Sequence, residues 1–152
     1  MDNDVQNLLK LLNKFHYTLA CCESMTGGKF ASILTKSPGA GRIFKGGFIV
    51  YTNEAKKKLA KISPYILNNF TGNAGPTAQE NKSVGQIYIG ISSDYSSFSK
   101  DYHFNGSRSE IVQQAIKTGI QLLINAVKKF SDDKLIDNNH LLSRISKREH
   151  NN

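Results

Sequence analysis

An α/β fold, a three-layer α/β/α sandwich built on a mixed sheet, is predicted by three features of the sequence. Compact apolar runs rich in β-branched and aromatic residues, GGFIVY at 46–51 and VGQIYIGI at 84–91, alternate with stretches of helical spacing. Turns containing glycine and proline separate them. A long amphipathic stretch follows residue 107, with the periodicity of a helix that covers a sheet.

In chain order, Val5, Leu8, Leu9, Leu11 and Leu12 predict a short amphipathic helix over 4–15. Tyr17 to Cys22 is a compact apolar run, a buried strand. It ends in Glu23-Ser24-Met25-Thr26-Gly27-Gly28, after which Phe30, Ile33 and Leu34 resume helical spacing. Strand, tight turn, helix is the implied order. Ser37-Pro38-Gly39-Ala40-Gly41 is a loop of strong breakers. Gly46 to Tyr51 reads as a second buried strand, and Asn53 as the N-cap of a helix through Ala60. Residues 72–83 are a loop by composition. Val84 to Ile91 alternates as a strand, and a strand near Asp101–Phe104 pairs with it as a hairpin. Ser107 with Glu110 makes a capping box for the long helix, whose apolar face is Ile111, Ala115, Ile116, Ile120, Leu123 and Val127. From about Ser131 the periodicity fades, which divides the chain into a domain over 1–130 and a polar tail over 131–152, loose or carrying a short helix.

Composition bounds the function. A chain of 152 residues fits one domain, and 39% hydrophobic with 21% charged residues excludes disorder throughout. No apolar run approaches the roughly 18–20 residues of a membrane span, and the acids among the first residues do not suit a secretory signal. The net charge is +8, and residues 131–152 balance four basic against four acidic side chains, so the excess lies in 1–130. A basic body attracts anions, either nucleic acid or a small phosphate ester. Lysine outnumbers arginine 16 to 4, and no aromatic residues interleave the basic cluster, so a nucleic-acid surface is not expected. Cys21 and Cys22 are neighbours and the four histidines show no ligand spacing. Buried thiols in a reducing cytoplasm, with no metal, is the expectation.

Three segments could carry chemistry. Ser24 follows a strand and precedes a glycine pair opening a helix, where unpaired amides and a positive dipole end can hold an oxyanion. It could be a nucleophile or simply a cap. A serine nucleophile needs a base, and a lysine with a lowered pKa can serve. Lys56, Lys57, Lys58 and Lys61 cluster after the second strand; one could point inward, or all could be a wet helix face. Gly72-Asn73-Ala74-Gly75-Pro76-Thr77 has the residue types of a substrate-facing loop, without the Gly-Lys-Ser/Thr of a P-loop.

Together these segments resemble the CinA C-terminal domain family, whose stand-alone members include nicotinamide-nucleotide amidohydrolases. The resemblance rests on ACCESMTGG (20–28), LTKSPGAGRIFKGGFIVYTNEAK (34–56), GNAGPT (72–77), VGQIYIGI (84–91) and FNGSRSEI (104–111), in the family's order. It implies hydrolysis of the carboxamide of nicotinamide mononucleotide by Ser24 as nucleophile, with Tyr51 and Lys56 as its activating partners and backbone amides near Thr26–Gly28 holding the oxyanion. It further implies that Thr26, Gly27, Gly28, Gly47, Asn53, Ala74, Gly75, Thr77 and Arg108 bind a small-molecule nucleotide substrate, with no cofactor required. Arg108 is the candidate for its phosphate, or a surface salt-bridge residue. Only residues 62–71 stand between Lys61 and Gly72, where the family usually carries another helix and most of a strand, and Asn68-Asn69 in that segment are depleted in strands. The shortfall is about 25–30 residues. It makes a homo-oligomer, with a partner chain covering the gap, an expectation. It also motivates the alternative of a catalytically degenerate interaction module. The chain reads as the stand-alone type, without the larger N-terminal domain of full-length CinA proteins.

Overall fold

A computed structural model describes residues 1–52, 54, 55, 58, 66–77, 83–94 and 96–149, with the backbone alone described at 66–71 and 134–149. Helix α1 (Asp2–Lys14) buries Val5, Leu8, Leu9 and Leu12, one stripe of a helical wheel, and carries Asp2 and Asp4 in its first turn and Lys14 in its last. Its end is a Schellman turn, with His16 N–H on the Asn13 carbonyl at 3.2 Å and Tyr17 N–H on Leu12 at 2.9 Å. His16 takes the left-handed position at φ 57° that glycine usually fills.

Strand β1 (Leu19–Glu23) leads through α2 (Lys29–Thr35) and the single turn α3 (Ala40–Ile43) into β2 (Phe44–Ile49). Then follow β3 (Ile66–Gly72), β4 (Gln86–Ser92), β5 (Ser97–His103) and the 42-residue helix α4 (Arg108–Glu149). The five strands form one mixed sheet in the order β2-β1-β3-β4-β5. β1 is parallel to both β2 and β3, while β4 is antiparallel to β3 and to β5. Leu19 and Cys21 on one face of β1 and Cys22 on the other are all buried, as in a strand covered on both sides. β4 alternates, with Ile87, Ile89 and Ile91 buried, so the predicted period of two holds there. α4 packs against α1, β3 and β4, and Ile111, Ala115, Ile116, Ile120, Leu123 and Val127 all lie in the core.

Three expectations shift. The second strand, expected to be buried over 46–51, runs over Phe44–Ile49 at the sheet edge with Lys45, Phe48 and Ile49 exposed, because only β1 pairs with it. Asn68 and Asn69 sit inside β3, a central strand bonded on both sides, because a ladder with two neighbours outweighs the poor strand propensity of two residues. α4 runs on past Ser131 to Glu149 without a break, since no glycine or proline in 131–149 stops it.

Candidate active site

β1, β2, β3 and β5 all point the same way, so their carboxyl ends share one end of the sheet. Ser24 follows β1, Tyr51 follows β2, Ala74, Gly75 and Thr77 follow β3, and Arg108 opens α4 after β5. The chain steps from β1 to β2 on one side and to β3 on the other. That places Ser24 where the strand order reverses, the usual position of ligand crevices in open α/β sheets.

The turn after β1 is organised by Glu23. Its buried carboxylate accepts the amides of Gly28 at 3.0 Å and Phe30 at 3.1 Å on Oε2, and of Ala31 at 2.9 Å on Oε1. Lys29 N–H goes to the Thr26 carbonyl and Gly27 N–H to the Ser24 carbonyl, each at 3.1 Å. The first amides of α2 are thus taken up by the chain's own acid and turn, which corrects the expectation that Gly27 and Gly28 amides face an oxyanion. Among the described residues the amides of Met25 and Thr26 donate to nothing. Ser24 is 4% exposed and Thr26 2%, and the Thr26 hydroxyl has no hydrogen-bond partner among the described residues. Gly28 caps α2 at φ 89°, and a Cβ there would lie 3.1 Å from Ile49 Cδ1, so β2 leans directly on the turn.

The two cysteines belong to this packing. Cys21 Sγ–H donates to Glu23 Oε1 at 3.6 Å, and burial first, then the Glu23 charge, push its thiol up to about 12. Burial and Glu23 also raise the Cys22 thiol. Both are free thiols held in the protonated, unreactive form. Gly47, expected to face substrate, is register-paired with Cys21, and a Cβ there would run into Cys21 Sγ and lie 2.8 Å from its carbonyl oxygen. Packing alone requires glycine at that position.

The second half of the site is tied together by Arg108. Its Nη1 donates to the Gly75 carbonyl at 2.6 Å and its Nη2 to the Tyr51 hydroxyl at 3.3 Å. One guanidinium therefore joins the loop after β3 to the residue after β2. No salt bridge to Arg108 exists among the described residues. Tyr51 is 64% exposed, and Val50 N–H donates to the Glu23 carbonyl at 2.7 Å, which holds the end of β2 beside the Ser24 turn. Asn73 builds the loop: its Oδ1 accepts Gly75 N–H at 2.9 Å and its Nδ2 donates to the Thr77 carbonyl at 3.0 Å. Ala74 packs into the core, while Thr77 is exposed.

Lys56 and Asn53 lie outside the described residues. Thr52 Oγ1 accepts Ala55 N–H at 3.1 Å, so a cap bond falls on the residue before Asn53. Lys58 pairs with Glu54 at 2.6 Å on the exposed surface, which makes it a solvated member of the lysine cluster. Glu23 and Asn73 were missed as site residues, although an acid at a strand end before a glycine turn, and an asparagine two residues before a glycine, are both recognisable capping signals.

A model of the CinA C-terminal domain matches residues 2–70 and 69–127. A Bacillus cytotoxicus protein named for competence-damage induction is 31% identical over 149 aligned positions, covering 80% of this chain and 36% of its own length. A Bacillus subtilis protein of the same name is 30% identical over 139, covering 74% and 33%. The chain spans about a third of the length of these curated relatives. In the first alignment 80% of the chain is about 122 residues, so about 27 of the 149 positions have no partner here, the length of a helix, a strand and their connections. Among solved structures, a CinA superfamily protein from Klebsiella pneumoniae has a TM-score of 0.76 at 18% identity, covering 84% of this chain and 98% of its own. A competence or damage-inducible protein from Enterobacter asburiae has 0.78 at 18%, covering 83% and 97%. These two carry the fold alone.

Proposed function

The chain belongs to the CinA C-terminal domain family, and from that premise we propose that it hydrolyses the carboxamide of nicotinamide mononucleotide to nicotinic acid mononucleotide and ammonia. The observation that carries this reading is the arrival of Ser24, Tyr51, Gly75 and Arg108 at one end of the sheet, with Arg108 bonded to two of the other three. Ser24 Oγ attacks the amide carbon while Lys56, neutral at that moment, takes its proton directly or through Tyr51. The Met25 and Thr26 amides serve the oxyanion, since those of Gly27 and Gly28 are engaged. The C–N bond then breaks, the protonated base gives its proton to leaving ammonia, and water hydrolyses the nicotinoyl ester to free Ser24. The N–H groups of Arg108 not spent on Gly75 and Tyr51 meet the nucleotide phosphate. No metal or cofactor enters these steps.

Ammonia release from nicotinamide mononucleotide tests this directly. Ser24→Ala and Lys56→Ala each abolish it, and Tyr51→Phe lowers it. A folded wild-type chain inert towards this substrate and related pyridine amides ends the reading. A second reading, a non-catalytic interaction module, is favoured by the roughly 27 relatives' positions this chain lacks. It is supported instead if the folded chain shows no saturable shift in melting temperature with the nucleotide. Self-association fits either reading, because edge strand β2 exposes Phe48 and Ile49. A cytoplasmic location suits the two free, buried thiols.

A further inference from the structure

We infer that Glu23 is a positioning residue for Ser24: its carboxylate fastens the start of α2 to the end of β1 and so sets the turn that carries the hydroxyl. The inference rests on the hydrolase reading for its effect on rate, and on geometry alone for the clamp. Glu23 is 1% exposed, and a carboxylate so buried is costly unless its oxygens are met. Four donors meet it: the amides of Gly28, Phe30 and Ala31 and the Cys21 thiol. The positive end of α2 points at the same oxygens. Only Ser24, Met25, Thr26 and Gly27 lie between the residue that clamps and the first residue clamped. The position of the Ser24 hydroxyl is therefore set by the distance between β1 and α2 that Glu23 fixes.

A carboxamide cannot replace this group. Glutamine offers one acceptor oxygen, and its NH₂ would face an amide donor, leaving either Ala31 N–H or the Gly28 and Phe30 pair unmet. The nucleotide contacts assigned to Arg108 and the loop after β3 come from other elements. On the turn itself the Gly27 and Gly28 amides are engaged within the chain and Thr26 is buried, so loosening the turn costs rate more than affinity.

The test compares wild type with Glu23→Gln in kcat and KM for nicotinamide mononucleotide, and in amide hydrogen exchange at Gly28, Phe30 and Ala31. The expected result is a kcat lower by about ten- to a hundredfold with KM within about twofold, together with faster exchange at those three amides. A merely structural role would lower kcat only through the fraction folded, leaving the folded fraction fully active. Retention of full kcat, or exchange unchanged at all three amides, overturns the inference. If wild type is inert, the hydrolase reading has failed by itself and exchange alone judges the clamp. Should the glutamine variant not fold, Glu23→Asp carries the same measurements, because it keeps the charge but shortens the reach by one methylene.

Discussion

Cys21 shows how one side chain reports on its surroundings. Its thiol is pushed up to about 12 from an ordinary value of 9.0, chiefly by burial, so the folded chain holds a proton that the unfolded chain gives up near pH 9. The stabilisation is whole below pH 9.0 and is lost as pH climbs from there towards about 12. Urea midpoints should therefore fall over that range, and Cys21→Ala should flatten the fall relative to wild type. Iodoacetamide at pH 8 should label Cys21 only after unfolding. Gly47 is a second sharp case. Gly47→Ala drives a methyl into Cys21 and should cost about 1–3 kcal/mol in chemical denaturation. Neither effect was legible in the sequence, which shows that Cys21 and Gly47 are apolar and small but not that they are register partners across β1 and β2.

Among the elements, α4 was the most readable, because its start is written in adjacent residues. Ser107 N–H donates to Glu110 Oε2 at 2.7 Å and Glu110 N–H to Ser107 Oγ at 3.4 Å, the reciprocal bonds that the Ser-x-x-Glu spacing predicts. Ser107→Ala should lower stability by about 1 kcal/mol, read as a drop in melting temperature. The Ser107 hydrogen bonds hold the Glu110 carboxyl below its ordinary 4.5, so the cap's contribution persists at neutral pH and fades as pH falls below that value. The strands divide. β4 announces itself by alternation, whereas β3 hides behind Asn68-Asn69, since its place comes from neighbours β1 and β4 that are distant in sequence. The loop after β3 was legible in composition alone; that Asn73 ties it internally and Arg108 ties it to Tyr51 depends on contacts the sequence does not order.

For the molecule as a whole, the α/β class and its mixed sheet followed from alternating patterns, whereas the arrival of four segments at one end of the sheet comes from strand order and direction that those patterns do not set. If the proposed nucleotide is the substrate, its phosphate and the chain's net charge of +8 predict salt-sensitive binding. Nicotinamide mononucleotide should raise the melting temperature saturably, by the equivalent of about 2.7 kcal/mol at a hundred times its Kd. Raising ionic strength should shift the half-saturating concentration upward, and a thermal-shift titration at two salt concentrations checks both.

The directions of the strands leave the opposite rim of the molecule unburdened. The β4–β5 hairpin, closed by Ser93 N–H on the Ser96 carbonyl at 2.9 Å, turns there. So does the link from α1 into β1. A fluorescent label, an affinity tag or a surface tether spliced at that hairpin would sit a full strand length from Ser24, and immobilised protein would leave the Ser24 end of the sheet facing solution.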